Sequence, residues 1–179
     1  DTLIELFNPE GIIKNANSRA RTLEGLDDLS FLIHGSAPTT PLKVPMNGAI
    51  YMADLNHGQK TGLFYDQRQN HAFLSSISQN KTVLDVFSHV GGFALAALVG
   101  GAVEATAVDA SQAALDLAEQ GARASGFKSA LSIIKDDGFN ALKCLKNAEK
   151  KFDIVICDPP AFAPSKQTLS SGLRAYERL

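Results

Sequence analysis

Asp85 is the one charged residue in Thr82-Val-Leu-Asp85-Val86, and Gly91-Gly92 then opens an alanine-rich stretch. This pattern reads as a buried strand, a tight turn and a helix, the arrangement of a nucleotide site. A dinucleotide turn uses three glycines, because two phosphates must sit against backbone N–H groups at the helix N-terminus. Here there are two glycines, and a carboxylate near the strand end would repel a pyrophosphate. Asp85 can instead accept hydrogen bonds from an ammonium group, while the helix N-terminus takes a single carboxylate. An amino-acid zwitterion joined to a nucleoside meets both demands, and S-adenosylmethionine is such a molecule. The alternative is that Asp85 only caps the turn.

Two further strands end in acids. Glu104-Ala-Thr-Ala-Val-Asp109 closes on a carboxylate about twenty residues past the glycine turn, where a ribose-binding acid belongs. Phe152-Asp-Ile-Val-Ile-Cys-Asp158 closes on an acid followed by Pro159 and Pro160. The prolines lack N–H groups and fix φ, so that loop presents a preset wall of carbonyls. Asp158 could hold a ring nitrogen or an exocyclic amine of a base, and Phe162 could stack on it. Between these two, Leu131–Lys135 leads into Asp136-Asp137-Gly138. An acid there can accept from an adenine amine, or it can cap the next helix, and one side chain does not easily do both.

The donor site is therefore expected to take Asp85, Phe87, Ser88 and Gly91 from the first turn, Asp109, Ala110 and Ser111 from the second, and Asp136, Asp137 and Gly138 from the third. Gln67 and Arg68 join it from the segment ahead of the first strand. The target site takes Asp158, Pro159, Pro160 and Phe162.

The elements that position these residues alternate strand and helix, which predicts an α/β fold with a doubly wound parallel sheet. Its ligand belongs outside the carboxyl ends of the strands. Ser111 is a good N-cap for a crossover helix that runs to Gly126, and a helix is expected from Gln67 to Ile77. Residues 1–57 differ in texture: Leu3–Phe7 reads as a strand, 18–23 as a helical turn, and Phe31–His34, Leu42–Val44 and Ala49–Ala53 as short strands. This stretch, residues 1–57, looks like the end of a small α+β domain, with the doubly wound sheet following over residues 58–179.

With 179 residues, 45% of them hydrophobic, the chain can bury a core of its own. A net charge of −2 leaves no electrostatic footprint for nucleic acid, so an RNA partner must be argued from elsewhere. Cys144 and Cys157 lack metal-ligand spacing and read as core residues of a reducing, cytoplasmic compartment; no metal is expected. The uncharged run Val86–Val103 contains glycines, a histidine and a serine, and reads as a buried strand and helix rather than a membrane span.

Several blocks together resemble the bacterial S-adenosylmethionine-dependent large-subunit ribosomal RNA methyltransferases that make 5-methylcytosine. They are Arg19-Ala-Arg21-Thr-Leu-Glu-Gly25, Gly58-Gln-Lys-Thr-Gly62 with Asp66-Gln-Arg68, Asp85 to Phe93, Lys135-Asp-Asp-Gly-Phe139, and Asp158-Pro-Pro-Ala-Phe162 with Ser165-Lys166. The resemblance implies an N-terminal RNA-binding domain, a small central domain and a seven-stranded catalytic domain, with ribosomal RNA as substrate. It favours a functional lid over a solvated loop for the Gly58 block. It also implies a nucleophilic cysteine in a Ser-Cys-Ser setting after a fifth strand, which residues 1–179 would not include. A guanine-N2 methyltransferase and a nicotinamide oxidoreductase are the alternatives. The fourth strand would then be an apolar edge, so that the chain is a fragment or pairs that edge with a second copy as a homodimer.

Overall fold

The computed structural model describes residues 2–16, 21, 23–27, 29–56, 62–163 and 165–179. The chain forms two compact units, Asp1–Leu42 with Asp54–Gly62, and Lys43–Ala53 with Leu63–Leu179.

In the first unit, Thr2–Phe7 is a helix (α1), and the strands β1 (Gly11–Lys14) and β2 (Phe31–Gly35) pair antiparallel with a bulge between Ile12 and Ile13. The strand expected at Leu3–Phe7 is thus corrected to a helix. A five-residue apolar run has no periodicity to separate the two states, and Leu3, Leu6 and Phe7 remain exposed.

The second unit begins with two further strands, β3 (Leu42–Met46) and β4 (Ala49–Ala53), joined through Asn47-Gly48, both at positive φ. Asn-Gly is the favoured chemistry for such a hairpin. After a 3-10 turn at Tyr65–Gln67 come helix α2 (Arg68–Ile77), strand β5 (Thr82–Val86), α3 (Gly92–Val99), β6 (Glu104–Asp109), α4 (Gln112–Ala124), β7 (Leu131–Lys135), α5 (Gly138–Asn147) and β8 (Ile154–Cys157). A last helix, α6 (Leu169–Tyr176), follows the proline loop. The sheet order is β7-β6-β5-β8, all parallel. The chain therefore moves outward from β5 to β7 and returns to the other side of β5, which makes the β5/β8 boundary the topological switch point.

Alternation along the strands sorts the core into layers. Val83, Ala105 and Ala107 pack with Leu74, Ala94, Ala97, Leu98 and Leu115 beneath α2, α3 and α4. Leu84, Val86 and Val108 point the other way, onto Ala141 of α5. Outside α3 and α4 lies the β3–β4 hairpin, with Tyr51 fully buried beside Leu95 and Ala122. Its seat is cut to backbone dimensions: Ser125 Oγ accepts the Ile50 N–H at 2.8 Å, and a Cβ at Gly121 would stand 2.8 Å from the Ile50 carbonyl oxygen.

The uncharged run Val86–Val103 resolves into a strand end, a turn and α3, and no helix among the described residues is long and apolar enough to cross a membrane. β8 borders the sheet with Val155 54% exposed. Cys144 and Cys157 are exposed, which corrects the expectation that both are core residues. Cys157 ends an edge strand, and Cys144 lies on the outward face of an amphipathic helix.

Candidate active site at the switch point

Residues in register across a parallel sheet point to the same side, and Asp85 is level with Ala107 on β6 and with Ile156 on β8. Counting two residues onward from each reaches Asp109 and Asp158, so all three acids share the face covered by α3 and α4. Asp158 N–H still donates to Val86 O at 3.5 Å, which keeps its loop against the end of β5.

Asp85 is 1% exposed. The N-cap of α3 is Gly91 at φ 75°, which has no side chain to cap with. Asp85 substitutes from the strand: its Oδ2 accepts the Ala94 N–H at 2.9 Å, and the Phe93 N–H also bonds the carboxylate. These are the N2 and N3 donors that an ordinary cap would serve. The turn-capping alternative is therefore realised at one oxygen, while the buried Oδ1 has no hydrogen-bond partner. Burial pushes the Asp85 carboxyl up to about 7 against the pull of those two N–H groups, and the Asp109 and Asp158 charges add to the rise.

The turn between β5 and α3 is held in an uncommon shape. Phe87, His89 and Gly91 all have positive φ, at 64°, 50° and 75°. A bulky residue in that region is strained, and such strain persists only where neighbours over-determine it. Asp109 supplies part of that restraint, since its Oδ2 accepts the His89 N–H at 2.8 Å and its Oδ1 accepts the Ser111 N–H at 2.8 Å. Ser88 is buried with its Oγ unpartnered. The Ser111 side chain is committed to capping α4 through Ala114 N–H at 3.2 Å, and Ala110 beside it is exposed.

At the third strand end the capping alternative holds for Asp137, whose Oδ1 accepts from Phe139 and Asn140 N–H groups at 3.0 and 3.2 Å. Asp136 accepts its neighbour's N–H and the Asn140 amide. Gly138 is pressed on Phe87, where a Cβ would lie 2.5 Å from the ring. Phe87, Phe139 and Phe162 form one aromatic group, with centroids 5.5–6.3 Å apart. Tyr176 of α6 closes it at 4.9 Å from Phe162 and accepts the Phe162 N–H at 3.3 Å. Phe162 is thus half-buried in a wall that joins the proline loop to the β7–α5 turn. Pro159 is half-buried and Pro160 exposed in the same loop.

Gln67 reaches this site: its Nε2 donates to Asp158 Oδ2 at 3.0 Å. Arg68 turns elsewhere, its Nε directed at Asn47 Oδ1 at 3.5 Å. The expected lid at Gly58-Gln-Lys-Thr lies outside the described residues. Phe139, Tyr176 and Asn70 were not among the expected site residues. An aromatic directly after Asp-Asp-Gly was the available signal for Phe139. Tyr51 and His71 were also missed. His71 is buried against Tyr51 and Phe93, its imidazole 2.9 Å from where a Gly92 Cβ would be, and burial holds its pKa down to about 4.

A parallel doubly wound sheet, with carboxylates gathered on one face at its switch point and two unpartnered buried oxygens, on β5 and in the turn after it, defines an α/β nucleoside-binding domain. Residues 29–179 match the family model described as S-adenosylmethionine-dependent methyltransferase, and the chain belongs to that family. It is 40% identical over 173 residues to the ribosomal RNA large subunit methyltransferase I of Aeromonas salmonicida, covering 96% of this chain and 44% of that protein. The protein of the same name from Escherichia coli is 34% identical, again over 97% of this chain and 44% of its own length. The chain thus spans less than half the length of these curated relatives. Among solved structures, SMU.776, assigned as a methyltransferase and crystallised with S-adenosylhomocysteine, has a TM-score of 0.69 at 32% identity, covering 77% of this chain and 37% of that one. The M. jannaschii tRNA m1G37 methyltransferase, 17% identical, shares the fold with a TM-score of 0.65 over 96% of this chain and 46% of its own.

Proposed function

We propose that this chain is the donor-binding part of an enzyme that methylates a base of large-subunit ribosomal RNA, cytosine at C5. The observation that carries the reading is the common face of Asp85, Asp109 and Asp158 at the β5/β8 switch point. The residues suit S-adenosylmethionine. Asp85 contributes the negative charge that the ammonium needs, its Oδ1 being a buried carboxylate oxygen without a partner. Asp109 has lone pairs left for ribose hydroxyls beyond the two N–H groups it accepts. Asp136, Gly138 and the Phe87–Phe139 rings form the adenine side, and Asp158 with Pro159 and Pro160 faces the target base. The resemblance assigns residues 1–57 to a central domain, whereas within the fold Lys43–Ala53 packs with Leu63–Leu179.

When bound, S-adenosylmethionine supplies a methyl group made electrophilic by its sulfonium. The protein's part is to hold that group in line with the base and to exclude water. C5 of cytosine accepts a methyl only after a thiolate adds at C6. Cys157 does not suit that role: the residue is exposed at the sheet edge, yet partial burial of its thiol and the Asp158 and Asp85 carboxylates push its pKa up, which keeps it protonated. The relatives' names support the RNA, and the resemblance to 5-methylcytosine enzymes supports the base.

Calorimetric titration with S-adenosylhomocysteine and with NADH tests the donor. Binding of the first alone is expected; binding of NADH alone overturns the reading. Digestion of RNA treated with the enzyme and the methyl donor then separates 5-methylcytidine from N2-methylguanosine, and the latter product would overturn the C5 assignment.

A further inference from the structure

We infer that Asn70 and Gln67 are positioning residues that set the orientation of the Asp158 carboxylate, and that the site is thereby built for a base carrying an exocyclic amine. This rests on Asp158 facing the target base, as proposed above.

Gln67 ends the turn that leads into α2, and Asp158 follows β8, so 91 positions separate two side chains that meet at 3.0 Å. A primary amide has two ends of equal size and opposite chemistry. Facing a carboxylate, only its NH2 end is attractive. Asn70 holds that end in place: its Nδ2 donates to Gln67 Oε1 at 2.6 Å, one helical turn along α2. Because the Asn70 amine can only donate, it takes the Gln67 oxygen and leaves the Gln67 nitrogen for Asp158. The start of α2 is braced in turn by Asn47, whose Nδ2 donates to the Arg68 carbonyl at 2.7 Å from the tip of the β3–β4 hairpin.

This relay engages Asp158 Oδ2 and leaves Oδ1 without a protein partner among the described residues. A carboxylate oxygen is acceptor-only when ionised. It rewards the amine of cytosine, guanine or adenine and repels the O4 carbonyl of uracil. Fixing the carboxylate before the base arrives saves the ordering cost at the moment of binding. Gln67 is therefore assigned to the target base instead of the cofactor.

The test uses four variants of the full-length enzyme, Asn70→Ala, Asn70→Asp, Gln67→Glu and Asp158→Asn, and three readouts: S-adenosylhomocysteine affinity, methyl transfer to large-subunit ribosomal RNA, and the side-chain amide NMR signal of Gln67. Asn70→Asp is nearly isosteric but acceptor-only, so it draws the Gln67 NH2 toward itself and turns Oε1 against Asp158. Transfer is expected to fall about tenfold in Asn70→Ala, which loses the amide–amide hydrogen bond that holds Gln67 on Asp158, and further in Asn70→Asp and Gln67→Glu. Cofactor affinity should stay within about twofold, since uniform cofactor contacts are untouched. The Gln67 amide signal should move in Asn70→Ala and in Asp158→Asn alike. Unchanged transfer in a folded Asn70→Asp protein overturns the proposal, as does a parallel loss of cofactor affinity. A full-length wild-type enzyme containing this chain that binds S-adenosylhomocysteine but methylates no RNA instead overturns the functional reading on which the proposal stands.

Discussion

Asp109 Oδ2 accepts the backbone N–H of His89 at 2.8 Å, so the acid that ends β6 holds the turn that follows β5 in its strained shape. The same carboxylate is the proposed ribose acceptor, and the two roles can be separated. Asp109→Asn keeps one acceptor oxygen and turns an amine toward either His89 or Ser111, leaving a donor unpaired. A loss of about 1–3 kcal/mol in stability follows, together with S-adenosylhomocysteine binding weakened about tenfold or more. Adding His89→Gly removes the Cβ penalty at φ 50° and should return part of the stability. It should not return the affinity. Full recovery of binding in the double variant, measured by calorimetry, would reduce Asp109 to a turn-holding residue.

Gly121 lies inside α4, where glycine costs about 1 kcal/mol relative to alanine. Propensity alone thus forecasts that Gly121→Ala stabilises the protein. The Cβ, however, would stand 2.8 Å from the Ile50 carbonyl oxygen and 3.0 Å from Leu95 Cδ1. A backbone carbonyl cannot swing aside as a side-chain tip does, and overpacking of this kind costs about 1–3 kcal/mol. The clash outweighs the propensity, so urea denaturation should show a net loss. A variant as stable as wild type would mean that the β3–β4 hairpin is not seated on α4 as described.

How much of this was legible follows from the range over which each feature is encoded. The four parallel strands and the helices between them announce themselves by local alternation and by glycine punctuation, and the strand-end acids Asp85, Asp109 and Asp158 could be picked out without coordinates. Their common face is a matter of register, which the periodicity of two carries once the sheet order is known. Asp85 as the cap of α3 was weighed only as an alternative, because it serves Ala94 from nine residues upstream, outside the three-residue spacing of a capping box. α1 was mistaken for a strand and β1 was missed, both being too short for a period to assert itself. The contact of Gln67 with Asp158, and the aromatic group of Phe87, Phe139, Phe162 and Tyr176, join segments far apart in the chain, and no local pattern encodes which of them meet.

Asp85 gives the fold a pH dependence whose sign is opposite to that of a salt-bridged acid. Its carboxyl is pushed up to about 7 by burial, with Asp109 and Asp158 adding to the rise and the Ala94 and Phe93 N–H groups opposing it, while an unfolded aspartate sits near 3.8. Between those values the native state holds the extra proton. The contribution of Asp85 is therefore fully present below about 4 and is lost as the pH rises through about 7. Asp85→Asn cannot titrate, so urea unfolding of variant and wild type between pH 5 and 8 should show the variant gaining relative stability as the pH increases. Binding a ligand ammonium calls for the ionised acid, so wild-type affinity for S-adenosylhomocysteine should climb over the same window and release a proton, whereas the variant binds weakly at every pH. Stability curves that run parallel for the two proteins would show that Asp85 is already ionised in the fold. Its unpartnered Oδ1 could then no longer be attributed to a neutral carboxyl awaiting a cation.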